Sequence, residues 1–357
     1  MKLPTIGMIG SHSAEEIGVS AKSKGFQTVV VVQKGREKLY THYSRHLYDE
    51  IILLDSFKDI LNKEVQERLK ELQTVWIPNR SFSVYVGYDE IETSFNIPIY
   101  GNRKLLRVEE RGFPKDQYWL LEQSGIRIPK TFTPDSIDRL SIIKVQQKDK
   151  PLERAFFYAN TPADYDKQSR EYIEKGIITE DDLLRATIEE FIIAPRFNAN
   201  FQAYGLNRKF GDLDFVGFDD RIQTSLSGLL NLPAREQLKI EIKTMNEEIG
   251  HRGVTMRESK KPLVYEAAEK LIAGVSIHYP PKMIGLFSLQ GALTETSEFV
   301  VFDLSPRVPG APCVGPTSPE MRRLSLKFGE VVNSPLDLCM FDLRAAVEAE
   351  KLDEVLT

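Results

Sequence analysis

The first part of the chain alternates short apolar runs with helical segments, and this alternation restricts the fold more than any other feature. Thr5–Ile9 and Phe26–Val32 are apolar runs, and Ser13 with Glu16 three residues later has the spacing of a capping box for a helix between them. The pattern continues with a strand at Ile51–Leu54, a helix over Ser56–Leu72 and a strand at Val75–Ile77. Strands that alternate with helices indicate a parallel sheet with right-handed crossovers. We therefore predict a Rossmann-like α/β unit over residues 1–125.

Two loops that follow strands of this unit are candidate ligand sites, because ligands bind at the carboxyl ends of strands in such sheets. Gly10–Ser13 leads into a helix N-terminus, whose N–H groups suit a phosphate. Pro78–Phe82 follows a strand that ends at Ile77, so His12 and Ser81 are predicted to face one crevice. A simpler alternative stays open for each, His12 as a loop residue bonded to backbone and Ser81 as a helix N-cap. The region has no GxGxxG motif, so a dinucleotide is not indicated.

The composition is that of an ordinary globular protein of about two or three subdomains, with 357 residues, 41% hydrophobic and 28% charged. A net charge of −5 argues against a nucleic acid or a polybasic membrane surface as the main partner. Cys313 and Cys339 are too few for a disulfide framework or a zinc site. We see no signal peptide and no apolar run of about 18 residues, so we expect a cytoplasmic protein without a membrane segment. A homo-oligomer stays open.

The stretch from Phe287 to Arg307 is predicted to be a β-hairpin, with strands near Leu286–Leu289 and Phe299–Leu304 and a polar turn between them. Gln290 and Asp303 lie in its two strands and are expected to point the same way. Two oxygen-bearing side chains with cationic Arg307 just beyond suit a Mg²⁺–phosphate site, because Mg²⁺ takes one or two protein oxygens plus phosphate oxygens. The simpler alternative is a buried hairpin with one solvated carboxylate.

The middle of the chain is predicted to hold a small antiparallel strand pair, Leu140–Val145 with Arg154–Ala159. The polar loop Gln146–Glu153 joins the two strands, and we expect it to be mobile without ligand because few apolar contacts can hold it. Thr187–Ile193 is a further strand that contains a pair of glutamates. These features indicate two further units, a small one over residues 126–193 and a larger one over residues 194–357.

The predicted elements follow the order of the ATP-grasp fold. An α/β unit comes first, and a small strand pair with a polar loop, a Glu-rich strand and a final hairpin follow it. Local segments narrow the resemblance, namely GSHSAEEIGVSAKSKGF, IPNRSFSVYVGYD, PIYGNRKLLRVEE, LPAREQL, RESKKPLVYEAAEKL and EFVVFDLSPRV. Over nearly its full length the chain resembles the archaeal formate-dependent 5-formaminoimidazole-4-carboxamide ribonucleotide (FAICAR) synthetase family. The resemblance implies a Rossmann-like (pre-ATP-grasp) domain followed by an ATP-grasp fold of two α+β subdomains. It also implies an ATP- and Mg²⁺-dependent ligase of purine (IMP) biosynthesis, which formylates 5-aminoimidazole-4-carboxamide ribonucleotide (AICAR) through formyl phosphate.

The resemblance implies three groups of site residues, while it assigns no catalytic residue. The nucleotide substrate is expected at His12, Ser81 and His251, and the metal at Gln290 and Asp303. ATP is expected at five residues: its phosphates at Lys144, its adenine at backbone groups of Glu190, Phe191 and Ile192, and a further contact at Gln223.

The chain departs from the family pattern at several of these positions. The loop after Lys144 reads QQKDKPLERAFF and has no glycine, so its backbone cannot approach phosphates as a Gly-rich loop does. Gln223 and Gln290 replace family glutamates, His251 replaces an asparagine, and Asp303 is one methylene shorter than the usual glutamate. Three hypotheses therefore stay open: the family ligase, a non-catalytic or regulatory nucleotide-binding homologue, and an ATP-grasp ligase for another carboxylate and amine.

Overall fold

The computed structural model describes residues 2–145, 156–206, 211–239, 248–310 and 319–357. The predicted mobile loop Gln146–Glu153 and Cys313 lie outside the described residues.

The first unit is built on a parallel sheet in the order β3–β2–β1–β4, as the alternation of strands and helices predicts. Its strands are β1 (Thr5–Ile9), β2 (Gln27–Gln33), β3 (Glu50–Leu54) and β4 (Thr74–Trp76). Its helices are α1 (Ala14–Ser23), α2 (Lys63–Glu71), α3 (Arg80–Val86) and α4 (Tyr88–Thr93). The inner residues of β2 are fully buried because apolar clusters cover both faces of the sheet.

The predicted continuous helix over Ser56–Leu72 is wrong. A short 3₁₀ segment, Phe57–Leu61, comes first and is capped by Ser56. Asn62 then adopts extended backbone angles, with φ −61° and ψ 138°, which interrupt the helical hydrogen bonds before α2 begins.

The second unit is a small antiparallel sheet in the order β5–β8–β6–β7. Its strands are β5 (Thr131–Phe132), β6 (Ser141–Lys144), β7 (Phe156–Ala159) and β8 (Thr187–Glu190). Among the described residues, the helix α5 (Gln117–Gln123) precedes this unit, and the helices α6 (Pro162–Glu174) and α7 (Glu180–Leu184) belong to it. The predicted pairing of two strands on either side of the polar loop is confirmed, with Ser141 opposite Ala159.

The third unit is an antiparallel sheet in the order β11–β10–β9–β12–β13. Its strands are β9 (Arg196–Ala203), β10 (Leu213–Gln223), β11 (Glu248–Val254), β12 (Gly285–Leu293) and β13 (Phe299–Ser305). The helices that follow in the chain are α8 (Thr224–Leu229), α9 (Ala234–Gln237), α10 (Lys261–His278) and α11 (Pro319–Phe328). The hairpin predicted between Phe287 and Arg307 is confirmed as β12 and β13.

The two faces of this larger sheet differ in polarity. In β9, Phe197, Ala199 and Phe201 enter an apolar cluster with residues of α5 and α10, whereas Asn198 and Asn200 alternate with them and point to the opposite face. Both asparagines are buried, at 6% and 1% exposure, so the second face is a covered polar surface rather than a solvated one. This polar face carries most of the candidate site.

The last part of the chain returns to the first unit. Helix α12 (Pro335–Glu348) shares one apolar cluster with α1 and β1. The terminal residue Thr357 exchanges backbone hydrogen bonds of 2.9 Å with Ile99. The segment that follows α12 is a 3₁₀ turn, Leu352–Glu354, and a docked end. In the part of the chain that the structure describes, no helix combines the length and the apolar character needed to cross a membrane.

Candidate active site

Asn79 joins the two loops that follow β1 and β4. Its Nδ2 donates to the carbonyl oxygens of Ser11 at 3.0 Å and His12 at 2.9 Å, and its Oδ1 accepts from the backbone N–H of Phe82 at 3.0 Å. Asn79 is therefore the N-cap of α3, and the alternative that Ser81 is a plain N-cap is wrong. Ser81 lies in the first turn of the helix and is buried, at 8% exposure. The loops of His12 and Ser81 are thus held together at one edge of the sheet.

The loop around His12 has a strained backbone. His12 and Ser13 have φ angles of 31° and 66°, in a region that residues other than glycine rarely adopt. The predicted Ser13–Glu16 capping box is wrong, because Ser13 in this conformation makes no capping bond and instead donates from Oγ to the carbonyl of Pro309 at 3.2 Å. The bond from Ser13 therefore holds the loop of His12 against the segment that follows β13.

His12 is a neutral imidazole at physiological pH. Burial and the nearby positive charge of Arg307 lower its pKa to about 4. Its Nδ1 is buried and has no hydrogen-bond partner among the described residues. A buried polar atom left unpaired is unfavourable, so this nitrogen is suited to a hydrogen bond with a ligand.

Three polar atoms from distant parts of the chain converge at Gly310. A Cβ atom added at Gly310 would lie 3.0 Å from His12 Nε2, 3.0 Å from His251 Nε2 and 3.4 Å from Glu248 Oε1. The absence of a side chain at this position therefore leaves the space that the three groups face. His12 and His251, both predicted to contact the nucleotide substrate, are brought together here. Whether they bind it stays a prediction.

His251 is held between two carboxylates. Its Nδ1 lies 2.5 Å from Asp219 Oδ2 and its Nε2 lies 2.6 Å from Glu248 Oε1. Burial lowers the pKa of the imidazole, but the hydrogen bonds and negative charges of the two carboxylates outweigh burial and raise this pKa to about 9. His251 is therefore an imidazolium at neutral pH, whereas His12 beside it is uncharged.

Asp219 is the buried centre of this arrangement. It is 0% exposed, and it accepts from Nδ2 of Asn198 and Nδ2 of Asn200, each at 2.6 Å, in addition to His251. Sequence reasoning missed Asp219 and both asparagines. The alternation of polar and apolar residues in RFNANFQA was the signal that could have placed the asparagines on one face.

His251 should make stability depend on pH. Because folded His251 keeps its proton up to about pH 9 and an unfolded histidine loses it near 6.5, its contribution is fully present below pH 6.5 and is lost as the pH rises to about 9. We expect the free energy of unfolding to fall by roughly 3 kcal/mol over this interval. Urea denaturation at a series of pH values measures the change. In His251→Asn the decrease should disappear; a decrease of the same size in that variant would contradict the assignment.

Gln290 and Asp303, the predicted metal pair, are opposite each other in β12 and β13. Gln290 is 8% exposed and is also opposite Asn198 on the other side. The Asp303 side chain is 29% exposed, and Arg221 Nη2 lies 4.0 Å from its Oδ2. Desolvation in the crevice and the negative charge of Glu109 raise the pKa of Asp303. One carboxylate and one amide oxygen on a shared face suit Mg²⁺, which also takes oxygens from phosphates and water.

Two further observations bear on the metal prediction. No group of three or more His, Cys, Asp or Glu side chains that could hold a metal is found within the described ranges. Arg307, expected to face the phosphate, is 7% exposed and is bound to Glu109, with Nε donating to Oε2 at 3.1 Å. Its charge is thus held by Glu109, close enough to His12 to lower the pKa of that imidazole.

The residues predicted to hold adenine lie where β8 leaves the small sheet. The Glu190 carboxylate is bound by Arg127 at 2.6 Å and Arg139 at 3.3 Å, so it is not directed at a ligand. The N–H groups of Glu190 and Phe191 donate to backbone carbonyls inside the unit, at 2.8 and 2.9 Å. The carbonyl of Ile192 accepts from the N–H of Ala194 at 3.1 Å. Adenine recognition by these residues stays a prediction.

The two remaining residues predicted at ATP lie on different sheets. Lys144 ends β6 and forms an ion pair with the buried carboxylate of Glu189. Gln223 ends β10 opposite Glu248, and its backbone N–H donates to Ser227 Oγ at 3.0 Å. Glu248 in turn binds Arg221 Nε at 2.9 Å, so Gln223 adjoins the charged group around His251.

Comparison with known proteins places the chain among named relatives. It matches a family model described as "Protein of unknown function (DUF1246)" over residues 6–132 and one described as "Domain of unknown function (DUF1297)" over residues 164–357. A 5-formaminoimidazole-4-carboxamide-1-(beta)-D-ribofuranosyl 5'-monophosphate synthetase of Methanocaldococcus jannaschii is 35% identical over 307 residues, 86% of this chain and 82% of the relative. The synthetase of the same name from Methanothermobacter thermautotrophicus is 33% identical over 358 residues, 99% of this chain and 94% of the relative.

Solved structures show the fold. The IMP biosynthesis protein PurP from Thermococcus kodakaraensis superposes with a TM-score of 0.69 at 22% identity, covering 99% of this chain and 100% of that chain. The ADP complex of PurK, an N5-carboxyaminoimidazole ribonucleotide synthetase, superposes with a TM-score of 0.57 at 12% identity, covering 87% of this chain and 72% of that chain. The predicted ATP-grasp architecture is confirmed. On the identity to the curated synthetases over most of both lengths, the chain belongs to the family of 5-formaminoimidazole-4-carboxamide-1-(beta)-D-ribofuranosyl 5'-monophosphate synthetases.

Proposed function

We propose that this protein uses ATP to join formate to the 5-amino group of AICAR, which gives FAICAR, ADP and phosphate. One observation carries the proposal: over 99% of its length, the chain is 33% identical in sequence to the synthetase from Methanothermobacter thermautotrophicus. This length includes every candidate site residue. The geometry agrees with it, because a crevice at the edge of the first sheet faces the polar surface of the ATP-grasp sheet. Since ATP and phosphorylated nucleotides are held inside cells, we place the reaction in the cytoplasm.

The chemistry divides into two transfers. An oxygen of formate attacks the γ-phosphorus of ATP, and the bond to the β–γ bridging oxygen breaks to leave ADP and formyl phosphate. The amine of AICAR then attacks the formyl carbon, loses a proton and expels phosphate. The first step needs cations near the transferring phosphoryl group, and the second needs them near the departing phosphate. Both steps need the exclusion of water from a labile anhydride.

The described residues supply groups suited to these tasks. Lys144 brings a cation from the small unit. Asp303 and Gln290 offer oxygen ligands for Mg²⁺, which neutralises phosphate charge when bound. At the other end of the site, neutral His12 and the imidazolium of His251 meet at Gly310, where we position AICAR.

An assay of purified protein with AICAR, formate, ATP and Mg²⁺ tests the proposal. We expect ADP and FAICAR in equal amounts, and no FAICAR when AICAR, formate or ATP is left out. ADP release that needs a different amine or carboxylate would replace the proposed substrates. ATP binding without turnover would instead identify a non-catalytic homologue.

A further inference from the structure

The predicted ATP lysine, Lys144, is bound by a buried carboxylate. Glu189 is 2% exposed and forms ion pairs with Lys144 and with Arg111, the latter at 2.9 Å between Nη1 and Oε1. Tyr118 also donates its hydroxyl to Glu189 Oε2 at 3.1 Å. Lys144 and Glu189 come from neighbouring strands, β6 and β8, and stand diagonally across the antiparallel pair. The lysine is therefore held by its own sheet.

Arg111 connects the Lys144–Glu189 pair to β13, the strand that carries Asp303. Its Nη2 donates to the carbonyl of Phe302 in β13 at 2.6 Å, and the next residue in the chain is Asp303. Its guanidinium also lies 4.4 Å from the ring centroid of Tyr118. Arg111 lies between α4 and α5 in sequence, and its side chain contacts both the small sheet and the larger sheet. One side chain thus links the Lys144–Glu189 pair to the strand that carries Asp303.

We propose that Glu189 and Arg111 are positioning residues that control how readily Lys144 reaches the phosphates of ATP. Glu189 competes with phosphate for the lysine. Arg111 stays with Glu189 and supplies the positive charge that this carboxylate needs once the lysine has left. The inference rests on the proposed function only in taking ATP as the ligand of Lys144.

The charges around Glu189 explain why both residues are needed. A buried carboxylate without a cationic partner is strongly unfavourable, so a lysine that was its sole cation could not leave for a ligand without a large penalty. With Arg111 in place, the transfer of Lys144 from carboxylate to phosphate exchanges one ion pair for another. Removing Arg111 should therefore tighten the hold of Glu189 on Lys144, and removing the charge of Glu189 should loosen it.

The test measures ATP binding by isothermal titration calorimetry in the full-length protein, without formate or AICAR. In Glu189→Gln the Kd for ATP should decrease by about tenfold, and in Arg111→Met it should increase by about tenfold. Arg111→Lys, which keeps the charge but not the two-way hydrogen bonding, should lie between Arg111→Met and the wild type. Glu171→Gln makes the same chemical change on α6, at an exposed pair with Lys175, and should leave the Kd unchanged.

Opposite shifts cannot arise from a general loss of structure, so the sign of the change decides the matter. Weaker ATP binding in both Glu189→Gln and Arg111→Met, or no change in either, would overturn the positioning roles. In that case ATP binding by the wild type would still support the proposed function. In steady state the shifts should fall on the KM for ATP and not on the KM for AICAR. If the wild type binds ATP with these shifts but makes no FAICAR, the proposed function fails and the positioning roles stand; a wild type that binds no ATP overturns both.

Discussion

Asp303→Asn should abolish Mg²⁺-dependent ATP turnover, lowering the rate of ADP release by at least about 100-fold. Asp303 is the one carboxylate of the proposed metal pair, since its cross-strand partner Gln290 is neutral. Asparagine keeps the size of the side chain and removes the charge that attracts the cation. Because the two side chains have nearly the same volume, the substitution should not disturb folding, and the loss of turnover would follow from the lost charge. Gln290→Glu adds a second carboxylate and should strengthen Mg²⁺ binding.

ADP release by the wild type and both variants over a range of Mg²⁺ concentrations provides the measurement. Asp220→Asn is a matched control, because Asp220 is partly exposed and pairs with Arg252 at 2.7 Å on the outer part of the larger sheet. The control should retain wild-type turnover. Unchanged turnover in Asp303→Asn would show that the metal is held elsewhere.

Asp219→Ala should lower the free energy of unfolding by about 3 kcal/mol. The substitution removes a fully buried carboxylate and leaves the amides of Asn198 and Asn200 and the Nδ1 of His251 without their shared acceptor. A buried donor that loses its partner is destabilising by roughly 1–3 kcal/mol. The pKa of His251 should fall at the same time, because one of the two carboxylates that raise it has gone.

Urea denaturation measures the first effect, and an NMR titration of the imidazole protons measures the second. Asp220→Ala, one residue along the same strand, removes a partly exposed ion pair and should change stability by less than about 1 kcal/mol. Equal destabilisation by the two alanine variants, or an unchanged pKa of His251 in Asp219→Ala, would show that the buried network does not hold the imidazolium.

Features that depend on nearby residues could be predicted from the sequence. The strand–helix alternation predicted the parallel sheet, and the hairpin after Phe287 placed Gln290 and Asp303 opposite each other, because a short turn sets the register of the strands it joins. The interruption at Asn62 was missed, because the apolar pattern continues across it although the backbone does not.

Features that depend on distant residues could not be predicted in the same way. The contact of Asp219 with Asn198 and Asn200 depends on the register of β10 with β9, which shifts between Phe215 and Gly217. Neither sequence spacing nor polarity reveals such a shift.

The meeting of His12 with His251 depends on three separated segments. It requires the strained loop after β1, the strand β11 and the chain at Gly310 to come together, and no local pattern encodes that contact. Family resemblance indicated both histidines as substrate residues. Their different charge states, one neutral and one cationic, follow from burial and neighbours that only the structure shows.

The fate of the formate oxygens tests the proposed reaction most directly. With [¹⁸O]formate, ATP, AICAR and Mg²⁺, formyl phosphate forms through a bond between a formate oxygen and the γ-phosphorus, and that oxygen leaves with the phosphate when the amine attacks carbon. The proposed reaction therefore predicts one ¹⁸O atom in each released phosphate, seen by ³¹P NMR, together with one FAICAR per ADP. Phosphate without label, or ADP released at the same rate without formate and AICAR, would contradict it.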